Sequence, residues 1–493
     1  MNIFSSCLLL TIIIGLASCD KKLDELTPHN VNFEAQQFST PQGYTKATIG
    51  NYTSLAGNYE VSWFNISEFR GNNVTFIDQT STNNLLDAQN IDAFNFTNSE
   101  SKDFGLSHQF WQTSYQALLG INMVLKNVKE GESDPVILQA KAENLFMRAF
   151  VYFNLVRVYG RPYYQNPTGN PGVPLVLLPI TSTSNPPPRE SVAATYDQII
   201  KDLTTAIPLF TQKKVNSYVS KYAAYALLSR VYLYMSGTYA AADTRYAKLS
   251  EQCADSVINN GGYSLLQVDA YANYYNNSNQ GNLETIWALN HDPLTTTLPM
   301  LLNQPAGVYA GNPNYSTGQV KPSSDLLGML AANDLRRNFY KTDKYQNNTT
   351  DTLSTWKYYY NYLKYGVLTS NAPFHHLRLS EMFLTRAEAR VKQGNMSGAL
   401  GDLNIIHTRA GLDPLSGLTG SPLFNAIMRE RRLELAFEGH IGYDYFRTGL
   451  PMERKYASFN SGPLTVGPTE ARVAMRISLD VIIENPNVTQ NEQ

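Results

Sequence analysis

The segment Leu377-Arg-Leu-Ser-Glu-Met-Phe-Leu-Thr-Arg-Ala-Glu-Ala-Arg-Val-Lys392 is followed by Gly394-Asn395 and then by Ser397-Gly-Ala-Leu-Gly-Asp-Leu-Asn-Ile-Ile-His-Thr-Arg409. Leu377, Glu381, Leu384, Glu388 and Val391 recur at steps of four and three residues, which places them on one stripe of a helix. Gly394-Asn395 turns the chain, and the second run starts a partner helix. Two carboxylates on an otherwise apolar stripe must be paired where they are buried, so Glu381 and Glu388 point to an internal ion network.

Small Ala387 and Ala399 lie twelve positions apart, with bulky Leu403 four further on. Helix pairs of the tetratricopeptide type need that spacing: small residues where two backbones approach, a large one filling the gap beyond. Tyr218–Ile258 offers a second, rougher pair with Ser229 at a close-approach position. Periodicity predicts further helices near 42–57, 107–129, 136–160, 192–210, 217–236 and 242–259. Asn185-Pro-Pro-Pro-Arg-Glu-Ser191 reads as a stiff linker ending in an N-cap, Ser191. Residues 61–106 and 260–375 are rich in Asn, Gly, Thr, Tyr and Pro, broken by short alternating strands such as Thr285–Leu289. Such long stretches without helices are where binding loops are sought.

At the front, the apolar run Leu8–Leu16 is too short to span a bilayer and leads into Ala17-Ser18-Cys19. Leu-Ala-Ser-Cys is the layout of a bacterial lipobox, which makes residues 1–18 a signal peptide and Cys19 the acylated N-terminus. Two or more acyl chains, at ~0.8 kcal/mol per buried methylene, then hold the chain at a membrane without a transmembrane helix. The alternative is an ordinary signal peptide with a coincidental cysteine. Residues 19–41 form a polar stem. Of the three cysteines, Cys7 leaves with the signal and Cys19 is acylated. Cys253 remains, in the helical pattern Leu249, Cys253, Val257, as a small buried hydrophobe.

Charged residues make up 16% of the 493, against about 25% in an average soluble chain, and the net charge is −2. That balance argues against a nucleic-acid partner, which needs a basic face. Thirty-two tyrosines, with abundant Asn, Thr and Ser, suit uncharged polyols or peptide backbones better than ionic ligands. The seven histidines show no ligand spacing, so no metal site is expected. Neither a Walker loop nor GxGxxG nor GxSxG occurs, and no cofactor is implied. Through the run Arg429–Glu438 and the turn before it, Phe424, Met428, Arg431, Leu435 and Glu438 share one stripe, which turns Arg431 and Glu438 inward. Glu434, at i+3, is one partner for Arg431. The run reads as a structural ion network, not a catalytic site.

The stretches Leu377–Ala389, Leu403–Leu412 and Arg429–His440, with the tail Glu484-Asn-Pro-Asn-Val-Thr-Gln-Asn491, together resemble the SusD/RagB family of outer-membrane nutrient-binding lipoproteins. Leu23-Asp24-Glu25, Phe38–Gly43, Arg148–Gly160 and Thr195–Leu203 extend the resemblance over essentially the whole chain. It implies a mainly α fold, with four tetratricopeptide-like helix pairs as scaffold and irregular loops and short strands packed on them. On this reading residues 42–260 form the N-terminal helical region. Residues 261–493 form the C-terminal region, with the loop-rich ligand segment and helices over 377–438. It also implies a non-enzymatic, lipid-anchored receptor at the outer membrane, facing the cell exterior. There it delivers a glycan, or in some members a peptide, to a SusC-like TonB-dependent transporter.

Ligand contact is expected from aromatics in the irregular segments. A ring stacks on the C–H face of a pyranose while Asn and Arg hydrogen-bond its hydroxyls. The candidates are Trp63, Phe64, Arg70, Asn72, Asn73, Tyr309 and Tyr315; Trp287 fits its strand pattern and is read as structural. The rival readings are an oligopeptide receptor on the same fold, a protein-interaction scaffold and a surface glycosidase.

Overall fold

The computed structural model describes residues 34–76, 88–97, 105–180, 185–272, 283–289, 320–343, 358–360, 374–457 and 461–492. Its frame is a run of helices: α1 (Pro41–Ser54), α2 (Glu60–Phe69), α3 (Leu106–Asn127), α4 (Pro135–Tyr159) and α5 (Val192–Ala206). It continues with α6 (Lys221–Met235), α7 (Thr244–Asn260), α8 (Leu379–Lys392), α9 (Met396–Arg409) and α10 (Gly420–Glu434). From α3 to α10 each helix packs against the next, so the scaffold is a stack of nearest neighbours of the kind repeat proteins build.

Local sequence sets where these helices start. Thr40, Asp134, Ser191, Ser220, Asp243 and Asn395 each accept a hydrogen bond from a backbone N–H in the first turn that follows, satisfying donors the helix itself cannot. Pro41 and Pro135 occupy the first position, where a missing N–H costs nothing. Between α8 and α9, Gly394 takes φ +81° and Asn395 caps, which is how the Gly-Asn pair turns the chain.

Packing bears out the small-residue spacing. Ala387 and Val391 of α8 meet Ala399 and Leu403 of α9 and Phe424 of α10 in one buried cluster. In the α6–α7 pair the Ser229 hydroxyl donates to the Ser250 carbonyl and the Ser250 hydroxyl to the Ser229 carbonyl, both at 2.8 Å. Two backbones can come that close only where side chains are this small.

The larger core surrounds α4, which is buried along nearly its whole length. Strands β1 (Val74–Phe76), β2 (Thr285–Leu289), β3 (Val320–Pro322), β4 (Lys341–Asp343), β5 (Tyr358–Tyr360), β6 (Phe374–Arg378), β7 (Met452–Arg454) and β8 (Leu464–Val466) form two-stranded antiparallel ribbons. The pairs are β1–β3, β2–β6, β4–β5 and β7–β8. The β2–β6 ribbon lays Trp287 and His376 on α4. Trp287 meets Phe146 and Phe150 edge-on and stacks on His376 at 4.6 Å. The chain end returns to the N-terminal half, where the Met475 N–H donates to Val158 O and Asn491 donates to Tyr159 O.

Two expectations change. Residues 61–106 are not uniformly irregular, because α2 runs through Trp63 and Phe64. Only Val61 of α2 is even partly exposed, so the helix has no polar face and leaves no periodic stripe to detect. The helix expected from Leu377 starts at Leu379, because Phe374–Arg378 are drawn into β6.

Candidate functional site

The loop-bearing segments are fixed to the scaffold by buried ions. Arg378, at the end of β6, grips Glu438 through Nε and Nη2 at 2.9 Å each, and reaches Glu284 at 2.9 Å and Glu434 at 3.2 Å. Arg409 of α9 shares both acids, meeting Glu284 at 2.7 Å and Glu434 at 2.5 Å. Arg336 binds Asp334 and Glu430, and Tyr271 donates to Glu434 at 2.7 Å. Burial alone would push Glu434 up, but Arg409, Arg378 and Arg336 outweigh it and hold the carboxyl far below its usual range. Glu284 precedes β2 and Arg378 closes β6, so the cluster secures the flanks of the chain between them.

A second cluster centres on Glu388. Arg447 holds it bidentately at 2.7 and 2.8 Å, and Lys392 approaches to 2.9 Å. Arg431 joins this cluster, not the one expected of it. Its Nε lies 3.8 Å from Glu388 and 3.6 Å from Asp444, and its Nη1 donates to Thr385. The i+3 partner, Glu434, is instead taken by arginines from three other segments. Both clusters are interior, with no reacting group open to a substrate, as the structural reading of this run requires. Among the described residues no group of His, Cys, Asp and Glu is placed to hold a metal ion.

The expected ligand residues divide. Trp63 and Phe64 are core, not cradle: Trp63 is 1% exposed and packs edge-on against Phe150 and Phe374, and Phe64 is fully buried against Phe374. Neither ring offers a face to a sugar. Asn72 spends its amide on Tyr445 and the Glu453 carbonyl, and Asn73 accepts from Arg432 Nε at 2.9 Å. These asparagines brace β1 against α10 and the C-terminal ribbon, which corrects their reading as sugar contacts. Arg70 is buried too, donating to the carbonyls of Arg472 and Val473. Cys19, Tyr309 and Tyr315 lie outside the described residues.

Two of the concavities enclosed by the described residues lie along α4. One is a cleft of about 450 Å³ between α1, α4 and the segment before α6, walled by Thr45, Gln139, Glu143, Gln212, Lys214 and Tyr218. Ile49, Val136, Ala140 and Val215 add to the walls, so most of the open lining is apolar, and Glu143 is already paired with Lys214 and accepts from Tyr52 at 2.9 Å. The volume suits a small molecule. The other is a smaller pocket of about 30 Å³, between the end of α4 and residues 442–447, lined by Arg70, Arg157, Tyr163, Tyr196, Tyr234 and Tyr443. Sequence reasoning singled out only Arg70 of these groups. The others sit on or beside helices whose pattern reads as core, and only the abundance of tyrosine hinted at them.

Residues 35–233 match the family described as "Starch-binding associating with outer membrane", and residues 234–491 match the family described as "SusD family". A SusD-like protein of Bacteroides ovatus is 26% identical over 486 residues, covering 90% of this chain and 83% of the relative. The fold overlays on a SusD superfamily protein from Bacteroides thetaiotaomicron with a TM-score of 0.77 and 26% identity, covering 92% of this chain and 100% of the other. It also overlays on a putative sugar binding protein from Bacteroides vulgatus with a TM-score of 0.72 and 22% identity, covering 91% and 98%.

Proposed function

The chain belongs to the SusD/RagB family of non-catalytic, outer-membrane-associated binding proteins, and from that premise we propose that it captures an extracellular oligo- or polysaccharide and passes it to a SusC-like TonB-dependent transporter. The observation that carries this reading is the match of residues 35–233 to the starch-binding, outer-membrane-associated description. The neutral composition supports it, since stacking and hydrogen bonding to hydroxyls need rings and amides rather than fixed charge. In this reading Cys19 carries the lipid anchor, the protein faces the exterior, and Tyr309 and Tyr315 make the stacking contacts. Residues 42–260 supply the helical frame and residues 261–493 the ligand segments, whose described flanks the Arg378 cluster holds in place. No helix among the described residues is long and apolar enough to cross a membrane.

The test is affinity electrophoresis of the detergent-purified chain through gels holding a panel of plant, host and microbial polysaccharides. Retardation by one polymer, lost in Tyr309→Ala or Tyr315→Ala at unchanged melting temperature, supports both the function and the site. Retardation lost instead on Tyr218→Ala or Gln139→Ala moves the contact to the cleft. No retardation by any polymer, with or without the co-purified transporter, overturns the glycan reading.

A further inference from the structure

The cleft between α1, α4 and the segment before α6 is bounded by a strap, residues 211–219, that is tied down at both ends. The N–H groups of Thr211 and Gln212 donate to Gln139 Oε1 at 2.9 and 3.0 Å, and the Val219 N–H donates to the Tyr52 hydroxyl at 3.1 Å. In between, Lys214 pairs with Glu143 and lies 4.9 Å over the ring of Tyr218, which itself meets Tyr52 edge-on at 5.3 Å. The fold therefore holds the opening in place before anything enters it. Its volume of about 450 Å³ falls inside the roughly 300–1,000 Å³ of small-molecule sites.

The walls state what they would take. Ile49 of α1 is 44% exposed and Val215 of the strap 59%, and both line this cleft beside Val136 and Ala140. Aliphatic surface left in water on two separate elements around one opening is surface that an apolar group would cover with gain. Glu143 is the acid of the wall, and it is closed. Its side chain is 1% exposed and is bonded by Gln139 at 2.7 Å, by Tyr52 at 2.9 Å and by Lys214, so it offers nothing to a cation. Lys213, in contrast, is exposed on the same wall and makes no ion pair among the described residues. Aliphatic walls with one uncompensated ammonium beside them match a molecule with an apolar tail and a single negative charge.

We propose that this cleft is a binding site of its own, taking a small amphipathic monoanion, with an aliphatic tail against Ile49, Val136, Ala140 and Val215 and a carboxylate head at Lys213. The occupant adds apolar contact between the strap and α1, and it does so whichever glycan the protein carries.

The test is equilibrium dialysis of radiolabelled octanoate against the full-length chain, with the same detergent in both chambers so that only the protein separates them. One saturable site per chain is expected, several-fold weaker for uncharged octanol and weakened by added salt, because the head meets an exposed charge. Val215→Asp should abolish the uptake and Lys213→Glu should weaken it, both at unchanged melting temperature since both side chains lie at the surface. The comparison of octanoate with octanol on the unmodified chain carries the test without any variant. Absence of saturable uptake, equal uptake of octanoate and octanol, or uptake unchanged in either variant overturns the assignment.

Discussion

The backbone of Gly439 lies close against the outer end of the Trp63 indole: a Cβ built on Gly439 would sit 2.5 Å from Cη2 and 2.7 Å from Cζ2. Gly439 also adopts φ +76°, where an L side chain is strained, and its N–H donates to Glu68 of the same helix as Trp63. The Phe437-Glu438-Gly439 motif is thus where the C-terminal half closes on α2. Glu438 engages Arg378 and Gly439 makes room for the tryptophan.

Gly439→Ala should therefore cost roughly 2–4 kcal/mol, combining overpacking with the left-handed backbone. Trp63→Phe in the same chain should recover part of that loss by vacating the clash. Urea melts of the two single variants and the double variant measure the coupling. Simple additivity would sink the idea.

Trp63→Ala should cost about 3–5 kcal/mol as a core truncation. Any loss of glycan retardation should then follow unfolding. A fully folded Trp63→Ala protein that no longer binds would restore the tryptophan as a contact.

Glu388→Gln should destabilise by about 3–5 kcal/mol near neutral pH, because Arg447, Lys392 and Arg431 are left facing one another. Burial pushes Glu388 up, yet Arg447 and Lys392 outweigh it and hold the carboxyl far below its ordinary value. An acid with a depressed folded pKa contributes stability that is complete above the unfolded pKa and shrinks as pH falls below it. The gap between wild type and Glu388→Gln should accordingly narrow below about pH 4.5. A gap that is constant from pH 7 to pH 3.5 in urea melts would contradict this.

Arg409→Met leaves Glu284 and Glu434 short of a cation inside the core and should cost about 3–5 kcal/mol. Lys455→Ala, which removes an exposed partner of Glu453, should leave the melting curve unchanged. Equal effects of the two would mean that the buried cluster contributes no more than a surface pair.

Cys253 is buried and burial pushes its thiol up to about 12, so it holds almost no thiolate at pH 8. Ellman's reagent should label it only as fast as the protein unfolds, with the rate rising in urea. Rapid labelling of the native chain would place the thiol at the surface.

The helices were legible because their signals are local. A repeat of three and four residues, a Ser191 cap or a Gly394-Asn395 turn is a property of neighbours in sequence, and each reappears in the structure. Family membership was legible for a related reason: Arg429–Gly439 and the stretches Leu377–Ala389 and Leu403–Leu412 are contiguous runs that can be compared without knowing the fold. Tertiary structure alone decided which partner each charge takes. Arg431 and Glu434 are three residues apart, yet Arg431 turns to α8 and Glu434 to β6 and α9, because buried charge pairs wherever the fold closes the shortest contact. It also decided the side of the surface on which Trp63 and Phe64 fall. A helix buried all round has no period to read, so sequence showed their chemistry, and only the approach of Gly439 and Phe374 from hundreds of residues away made them core.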